Sequence, residues 1–426
     1  MYLPMAKGAR LAPTLFILAA ACTLSAQTVP NISRWSGNAA IAPVQGYTQG
    51  SPLTLTWGFV PEGTALGGGG TSNLISAFDA TYGNGGGGSN LTNRPWFTHF
   101  VNSFNRWSQV SGLSYQYESA DDGLAHGAST HNFGALGLRA DLRIGGKNID
   151  GPSGTLAYNY FPTNGDMVID TADMALYGNA ANSYRFLRNV VMHEHGHGMG
   201  CSHCESNTTG FLMEPFIQTG FDGPQYHDIL VAQRGYGDVN EKSNAGLGND
   251  IFTRATSLGS IPFGSSVSIG NDARDLAVGG SEVDFVSIDD NTDTDFFSFS
   301  VAGAGPVSVL LESLGQTYNV GPQGGTQISF NTRQRSDLSL SLFGTDGTTL
   351  LQSSNTTGLG GNESLNFNLG SGGTYFLRIT GVDNIDTIGV DTQFYGLNVQ
   401  VVPEPGTVAA LTLGLGILLR RRRRKA

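Results

Sequence analysis

The chain has 426 residues, 13% of which are charged, and its formal net charge at pH 7 is −11. This length exceeds that of a usual single domain, so more than one domain is expected. An acidic chain with few lysines and arginines lacks the basic face that binding to nucleic acid requires, which excludes nucleic acid as a partner.

The first 26 residues have the organisation of a secretory signal peptide. Lys7 and Arg10 carry positive charge, residues 11–24 are mainly apolar, and small residues follow them. This segment predicts that the protein is exported. Residues 27–50 then form a short N-terminal segment, which is either a pro-segment or a part of the mature protein.

Two amphipathic helices are predicted from the spacing of apolar residues. In the first, Phe97, Phe100, Phe104 and Trp107 recur at intervals of three and four residues. In residues 183–192 apolar side chains recur at the same spacing and lead directly into a histidine-rich stretch. The second helix therefore provides a regular scaffold for the histidines that follow.

The histidine-rich stretch contains the string H-E-x-x-H-x-x-G-x-x-H. His193 and His197 lie four residues apart, so a helix points both to one side, where their nitrogens can bind one Zn²⁺. Gly200 permits a sharp exit from the helix, and the turn brings His203 round as a third ligand. Three protein ligands leave a fourth position for water, as in catalytic zinc sites. Glu194 is predicted to act on that water as a general base.

This string and a downstream L-M-E-P around Met213 resemble the metzincin zinc endopeptidases, and among them the matrixins. The resemblance covers residues 52–237. It implies an α+β catalytic domain with a twisted mixed sheet, three main helices and a zinc cleft. It places strands at residues 55–61 and 140–146 and an edge strand at 155–160. Met213 is then the Met-turn residue, a soft apolar floor under the zinc.

The resemblance also bears on structural metal ions. Tyr158 and Val168 stand where matrixins have two histidines of a second, structural zinc, so that ion is not expected. Asp150, Asp170 and Asp173 fall at positions of ligands to a structural Ca²⁺, which takes carboxylate oxygens. The alternative is that these three residues are solvated loop acids.

Cys201 and Cys204 lie on either side of the third ligand, His203. A C-x-x-C pair forms a local disulfide, remains as two thiols, or provides half of a zinc site. Export favours oxidation, so a short disulfide that stiffens the turn is preferred. Zinc ligation by the cysteines is the least favoured alternative, because it would compete with His203 and close the open position.

An all-β sandwich is predicted to follow the protease domain, which spans residues 51–240. Residues 241–248 are polar and glycine-containing, as linkers are. In residues 249–402 several short runs of alternating apolar and polar residues are separated by Gly, Asn and Asp. Two of these runs, 293–299 and 373–379, resemble the pre-peptidase C-terminal domain that accompanies secreted proteases.

Two further expectations concern this second half. Asp289, Asp290, Asp293 and Asp295 are expected to form a solvated acidic loop, with a calcium site as the alternative. Because all zinc ligands precede the linker, a chain ending near Asn240 is expected to fold, bind zinc and cleave peptides.

The last segment, residues 403–426, begins with Pro-Glu-Pro, continues as an apolar run at 408–419 and ends in a basic cluster at 420–425. The apolar run is shorter than the ~20 residues of an ordinary spanning helix, and the basic cluster indicates its cytoplasmic end. This order resembles the PEP-CTERM sorting signal of Gram-negative bacteria. It implies an exosortase-type processing enzyme as a partner and only transient contact with the membrane. The alternative is a tail anchor.

The combined prediction is a secreted zinc metalloendopeptidase, extracellular or at the cell surface of a Gram-negative bacterium. It would hydrolyse protein or peptide substrates with a zinc-activated water and Glu194 as general base. The alternative is an adhesive or extracellular-matrix structural protein with a vestigial protease domain. The intact Glu194 counts against this alternative, because a domain without activity has no need of the base.

Overall fold

The computed structural model describes residues 32–39, 47–127, 133–382 and 391–402. The predicted signal peptide and the predicted sorting segment lie outside these residues. Within the described ranges, none of the helices combines the length and the hydropathy needed to cross a bilayer.

The first half of the chain is built on one mixed sheet with the strand order β2-β1-β3-β5-β4. Strands β1, β2, β3 and β5 are parallel, and β4 runs antiparallel to β5 at the edge. The strands are β1 (Leu53–Phe59), β2 (Leu113–Tyr117), β3 (Leu142–Lys147), β4 (Ala157–Asn159), β5 (Met167–Asp170) and the separate short β6 (Cys204–Glu205). The helices are α1 (Leu74–Tyr82), α2 (Phe97–Val110), α3 (Met174–Tyr177), α4 (Arg185–Met199), α5 (Tyr226–Tyr236) and α6 (Ser243–Gly246).

Helix α2 connects this sheet to the helix of the histidine motif. Its four periodic aromatic side chains are buried, as their spacing predicts. Phe104 stacks on Trp57 of β1 at 4.8 Å between ring centroids. On the other side, the Trp107 indole Nε1 donates to the carbonyl of Met192 in α4 at 3.0 Å. The mixed sheet and the three long helices α2, α4 and α5 agree with the architecture that the sequence implies, and α1 adds a fourth helix.

Part of the predicted N-terminal segment belongs to the core of this half. Trp35 is fully buried, and its indole Nε1 donates to the carbonyl of Gly198 at 2.7 Å. The backbone N–H of Ser33 donates to the carbonyl of Gly200 at 3.1 Å. These contacts place the start of the described chain directly behind the last turn of α4.

The second half contains two sheets that share one hydrophobic core, as in the predicted sandwich. One sheet has the order β15-β14-β17-β10-β7, and the other has the order β16-β11-β18-β8 with β9 also paired to β18. Their strands are β7 (Thr256–Ser260), β8 (Ser265–Ile269), β9 (Val286–Ile288), β10 (Thr294–Val301), β11 (Gly305–Ser313), β14 (Leu338–Phe343), β15 (Leu350–Ser354), β16 (Glu363–Leu369), β17 (Gly373–Gly381) and β18 (Gln393–Val401), while β12 (Thr317–Pro322) and β13 (Ile328–Asn331) pair elsewhere.

Strands β12 and β13 form an antiparallel pair, here called the docking hairpin (residues 317–331), which leaves the sandwich and pairs with β6 of the first half. Its side chains Tyr318, Val320 and Phe330 are buried in the hydrophobic core of the first half. The second half is therefore attached to the first by a shared core as well as by the chain connection.

The acidic residues of the second half differ from the expectation. Asp289 and Asp295 are 7% and 0% exposed, so the prediction of a solvated loop is wrong for them. Asp289 lies near Asp293, and Asp295 lies near Asp238 and Asp293. The Tyr395 hydroxyl donates to Asp295 at 2.5 Å. Burial, reinforced by repulsion between neighbouring carboxylates, raises the pKa of Asp238 to about 7 and that of Asp293 to about 6. The fold buries these acids where the two halves meet.

Candidate metal centre

Helix α4 carries the first two histidines of the motif on its last two turns. The helix ends at Gly200, whose φ of +113° lies in the left-handed region that favours glycine. A Cβ at this position would lie 1.7 Å from the carbonyl oxygen of Ser33. The glycine therefore serves two purposes: it lets the chain turn toward His203, and it lets the N-terminal segment approach the turn.

The three histidines converge on one point. The Nε2 atom of His203 lies 3.1 Å from Nε2 of His193 and 3.0 Å from Nε2 of His197. Among the described residues, this is the group whose potential metal-ligating atoms all lie within 4.8 Å of one another. Two nitrogens that bind a tetrahedral zinc at 2.0–2.1 Å are about 3.3 Å apart. The donor set and its spacing therefore fit Zn²⁺.

The other ring nitrogen of each helical histidine is fixed by a backbone carbonyl. The Nδ1 atom of His193 donates to the carbonyl of Leu212 at 2.6 Å, and that of His197 donates to the carbonyl of Cys201 at 2.8 Å. Both bonds require a proton on Nδ1, which leaves Nε2 with a free lone pair for a metal. Burial is the main cause that lowers the pKa of His193, to about 3, and keeps the ring neutral.

The third histidine, His203, obtains its acceptor from the second half of the chain. Its Nδ1 atom donates to the side-chain Oε1 of Gln323 in the docking hairpin at 2.8 Å. Gln323 belongs to no sequence motif and lies 120 residues from His203 along the chain, so the sequence did not predict this contact.

Glu194 has the environment of a reactive carboxylate. It is fully buried, and neither of its oxygens has a hydrogen-bond partner among the described residues. Burial raises its pKa well above the usual range. His195, next to it, points elsewhere: its Nε2 atom lies 2.5 Å from the hydroxyl of Tyr115. Glu194 therefore keeps unused lone pairs, whereas the ring of His195 is held in the core.

Met213 packs against α4 between the two helical ligands. A Cβ on Gly196 would lie 2.2 Å from the Met213 sulfur, so only a glycine there allows this close approach. The carboxylate of Asp228, in the first turn of α5, accepts the backbone N–H groups of Leu212 and Met213 at 2.7 and 3.2 Å. Asp228 thereby holds the turn whose Leu212 carbonyl orients His193.

Cys201 and Cys204 are both free, buried thiols. The disulfide that the sequence favoured is therefore wrong. The turn between α4 and β6 is held instead by backbone bonds, in which the N–H of Cys201 donates to Gly196 and that of Cys204 donates to Met213. Burial raises the pKa of both thiols, which keeps them protonated and unreactive.

The three candidate calcium ligands hold the loop after β3. Asp150 accepts the backbone N–H of Thr155 at 2.9 Å, and Asp173 accepts that of Ser153 at 2.8 Å. Asp170 accepts the backbone N–H of Asp150 at 3.4 Å. Calcium binding at these residues stays a prediction.

The two positions at which matrixins have histidines serve the packing of the sheet. The hydroxyl of Tyr158 donates to the carbonyl of Gly67, and Val168 is fully buried against Val60 and Leu66.

Comparison with known proteins agrees with the geometry. The model of the matrixin family, a peptidase family, matches residues 80–237, which include all the residues of the metal centre in the first half. A hatching enzyme from Paracentrotus lividus is 30% identical over 160 residues, which cover 36% of this chain and 23% of that relative. These findings support a matrixin-like zinc metallopeptidase.

Similarity to solved structures is weak. The pre-peptidase C-terminal domain of a Bacillus anthracis collagenase is similar at 16% identity and a TM-score of 0.19, covering 34% of this chain and 96% of that chain. A periplasmic inhibitor of g-type lysozyme from Aeromonas hydrophila is similar at 9% identity and a TM-score of 0.17, covering 34% of this chain and 97% of that chain. Scores this low assign the β-rich half to no family.

Proposed function

We propose that the protein is an exported zinc endopeptidase that hydrolyses internal peptide bonds of proteins or peptides. The observation that carries this proposal is the convergence of three neutral histidine nitrogens beside a buried carboxylate with unused lone pairs. A site with only a structural role would have no need of an unpaired buried acid, since such a group costs stability.

Zn²⁺, when bound by the three histidines, would supply Lewis-acid polarisation of water and of the scissile carbonyl, and its positive charge would favour the ionised form of Glu194 against the effect of burial. Glu194 accepts a proton from the attacking water on one carboxylate oxygen, while the water oxygen bonds to the carbonyl carbon. The carbon–nitrogen bond then breaks, and Glu194 returns the proton to the leaving amine. Burial keeps bulk water away from this carboxylate during the transfer.

The substrate is proposed to bind as an extended strand beside β4. This strand is the last of its sheet in the described chain, so one edge is available for backbone pairing with a peptide. The segment from Met213 to Phe216 would form one wall of the pocket beside the metal.

The proposal is tested by Glu194→Gln and His197→Ala. Glu194→Gln should lower cleavage of a denatured protein substrate by on the order of 10²–10⁴-fold while zinc stays bound. His197→Ala should lose zinc. His195→Gln is the matched control, because it changes a histidine of the same helix that is not a ligand. Wild-type protein that holds one zinc yet cleaves no substrate would instead favour the adhesive or structural alternative.

We also propose that residues 1–26 direct export and that residues 403–426 are removed by an exosortase-type enzyme, on the strength of the sequence patterns alone. In this arrangement residues 51–240 form the protease domain, 241–248 the linker, and 249–402 a sandwich of the pre-peptidase C-terminal type. Intact-mass measurement on protein from the native host decides the processing. Mature protein that still carries residues 420–425 would support a tail anchor.

A further inference from the structure

The docking hairpin pairs with β6, the short strand that directly follows the third metal ligand, His203. Strand β12 runs antiparallel to β6, with Gly321 opposite Glu205 and Pro322 opposite Cys204. Gln323 directly follows β12 and therefore falls beside His203, the residue that precedes Cys204. The register of the two strands, set by backbone pairing, is what brings the amide to the ring.

Buried aromatic side chains fix the hairpin in this register. Tyr318 is 1% exposed, packs edge-on against Phe211 at 5.5 Å between centroids, and its hydroxyl lies 2.9 Å from Nδ1 of His227. Phe330, on the partner strand, packs edge-on against Tyr318 at 5.6 Å. These rings anchor the base of the hairpin in the core beneath the metal site.

Polar contacts fix the tip of the hairpin. The N–H of Gly324 donates to a carboxylate oxygen of Glu205 at 3.1 Å, and Oε1 of Gln327 accepts the backbone N–H of Asn207 at 2.8 Å. The segment on each side of Gln323 is thus tied to the first half independently of the contact with His203.

The chemistry of the third ligand requires an acceptor at this position. A histidine that binds a metal through Nε2 carries its proton on Nδ1, and the group that accepts this proton sets the tautomer and the ring orientation. His193 and His197 both lie in α4, and each donates from Nδ1 to a nearby backbone carbonyl. His203 lies beyond the end of α4, and its Nδ1 donates to the side-chain amide oxygen of Gln323.

We propose that Gln323 is a positioning residue of the metal centre, through which the C-terminal half of the protein fixes the third zinc ligand. This inference rests on the proposed zinc-dependent function. Loss of such an acceptor typically lowers metal affinity by about 10–100-fold. The side chain of Gln323 is exposed, so water can partly replace it, and we expect about a tenfold loss, at the lower end of that range.

The experiment compares Gln323→Ala, Gln323→Glu and Gln327→Ala in the full chain. Gln327→Ala is the matched control, because it removes a glutamine of the same hairpin that bonds to the first half but not to a ligand. Zinc affinity is measured by competition with a chromophoric chelator. Site geometry is followed by the visible absorption of Co²⁺-substituted protein, and folding by the melting temperature of the metal-free protein.

We expect Gln323→Ala to weaken zinc binding about tenfold and to alter the Co²⁺ spectrum, with an unchanged melting temperature of the metal-free protein. Gln323→Glu keeps an acceptor oxygen and should retain wild-type affinity. Wild-type affinity in Gln323→Ala, or an equal loss in Gln327→Ala, would overturn the positioning role. Absence of zinc binding by the wild-type protein would instead overturn the proposed function itself.

Discussion

Removal of the second half should unfold the first, contrary to the expectation from the sequence. Many core side chains of the first half come from beyond Asn240: Ala273, Val278, Phe285, Leu314, Tyr318, Val320, Phe330 and Phe394. Burial of one large apolar side chain contributes about 1.5–3 kcal/mol, so the seven larger ones amount to roughly 10–20 kcal/mol. Removing these side chains would also expose the apolar surface of the first half that they cover. The net free energy of unfolding of a protein is only about 5–15 kcal/mol, so a loss of this size is enough to unfold the first half.

We therefore expect a chain ending at Asn240 to lack a cooperative thermal transition and near-ultraviolet circular dichroism, and to bind zinc weakly. The control is a chain ending at Val402, which keeps both halves and should unfold cooperatively with one zinc bound. Peptide cleavage is measured on both. A chain ending at Asn240 that unfolds cooperatively, holds zinc as tightly as the control and cleaves a peptide would refute the reasoning.

Three further outcomes follow from the packing and the charges. Gly196→Ala should destabilise the protein by about 1–3 kcal/mol despite the ~1 kcal/mol gained in helix propensity, because the new methyl group meets the Met213 sulfur. Adding Met213→Ala should relieve part of this loss, and strictly additive changes in unfolding free energy would contradict the clash. Trp35→Ala should cost about 3–5 kcal/mol in urea denaturation, and a loss below 1 kcal/mol would indicate that the N-terminal segment is dispensable. The pKa of Asp238, about 7, and that of Asp293, about 6, lie above the ordinary 3.8, so the folded state holds these protons more tightly than the unfolded state. Their contribution is fully present below about pH 4 and is lost as the pH rises through 6–7. Lowering the pH from 8 to 5.5 in calcium-free buffer should therefore raise the melting temperature. Asp293→Asn should raise the melting temperature at pH 8 and make it depend less on pH. Identical plots of melting temperature against pH for the variant and the wild type would exclude the Asp293 carboxyl group as the cause.

The parts of the metal centre that depend on local geometry could be predicted from the sequence. His193, Glu194 and His197 lie within two turns of one helix, so their relative positions follow from the helical repeat. The chain turns sharply at Gly200 after α4, and this turn brings His203 to the other two histidines. Met213 is ten residues further on, within the same recognisable motif.

The parts that depend on contacts between distant segments could not be predicted. Gln323 reaches His203 through strand pairing across 120 residues, and no local pattern marks it. Asp289 and Asp295 are buried because they lie where the two halves meet. The local sequence around them, rich in Asp, is typical of a solvated loop and does not indicate this burial. Cys201 and Cys204 are free thiols, and a C-x-x-C spacing alone does not distinguish two thiols from a disulfide.

The distance along the chain between His203 and Gln323 has a consequence for the timing of synthesis. Ribosomes add about 5–20 residues per second, so roughly 6–24 s separate the appearance of the ligand from that of its acceptor. During this interval the nascent chain carries the complete zinc motif without the amide oxygen that accepts a hydrogen bond from its third histidine. Products of premature termination or of proteolytic cleavage before residue 323 stay in that state. Under the proposed function, the metal centre therefore reaches its full zinc affinity only after the docking hairpin has been made, which limits peptide cleavage by unfinished chains.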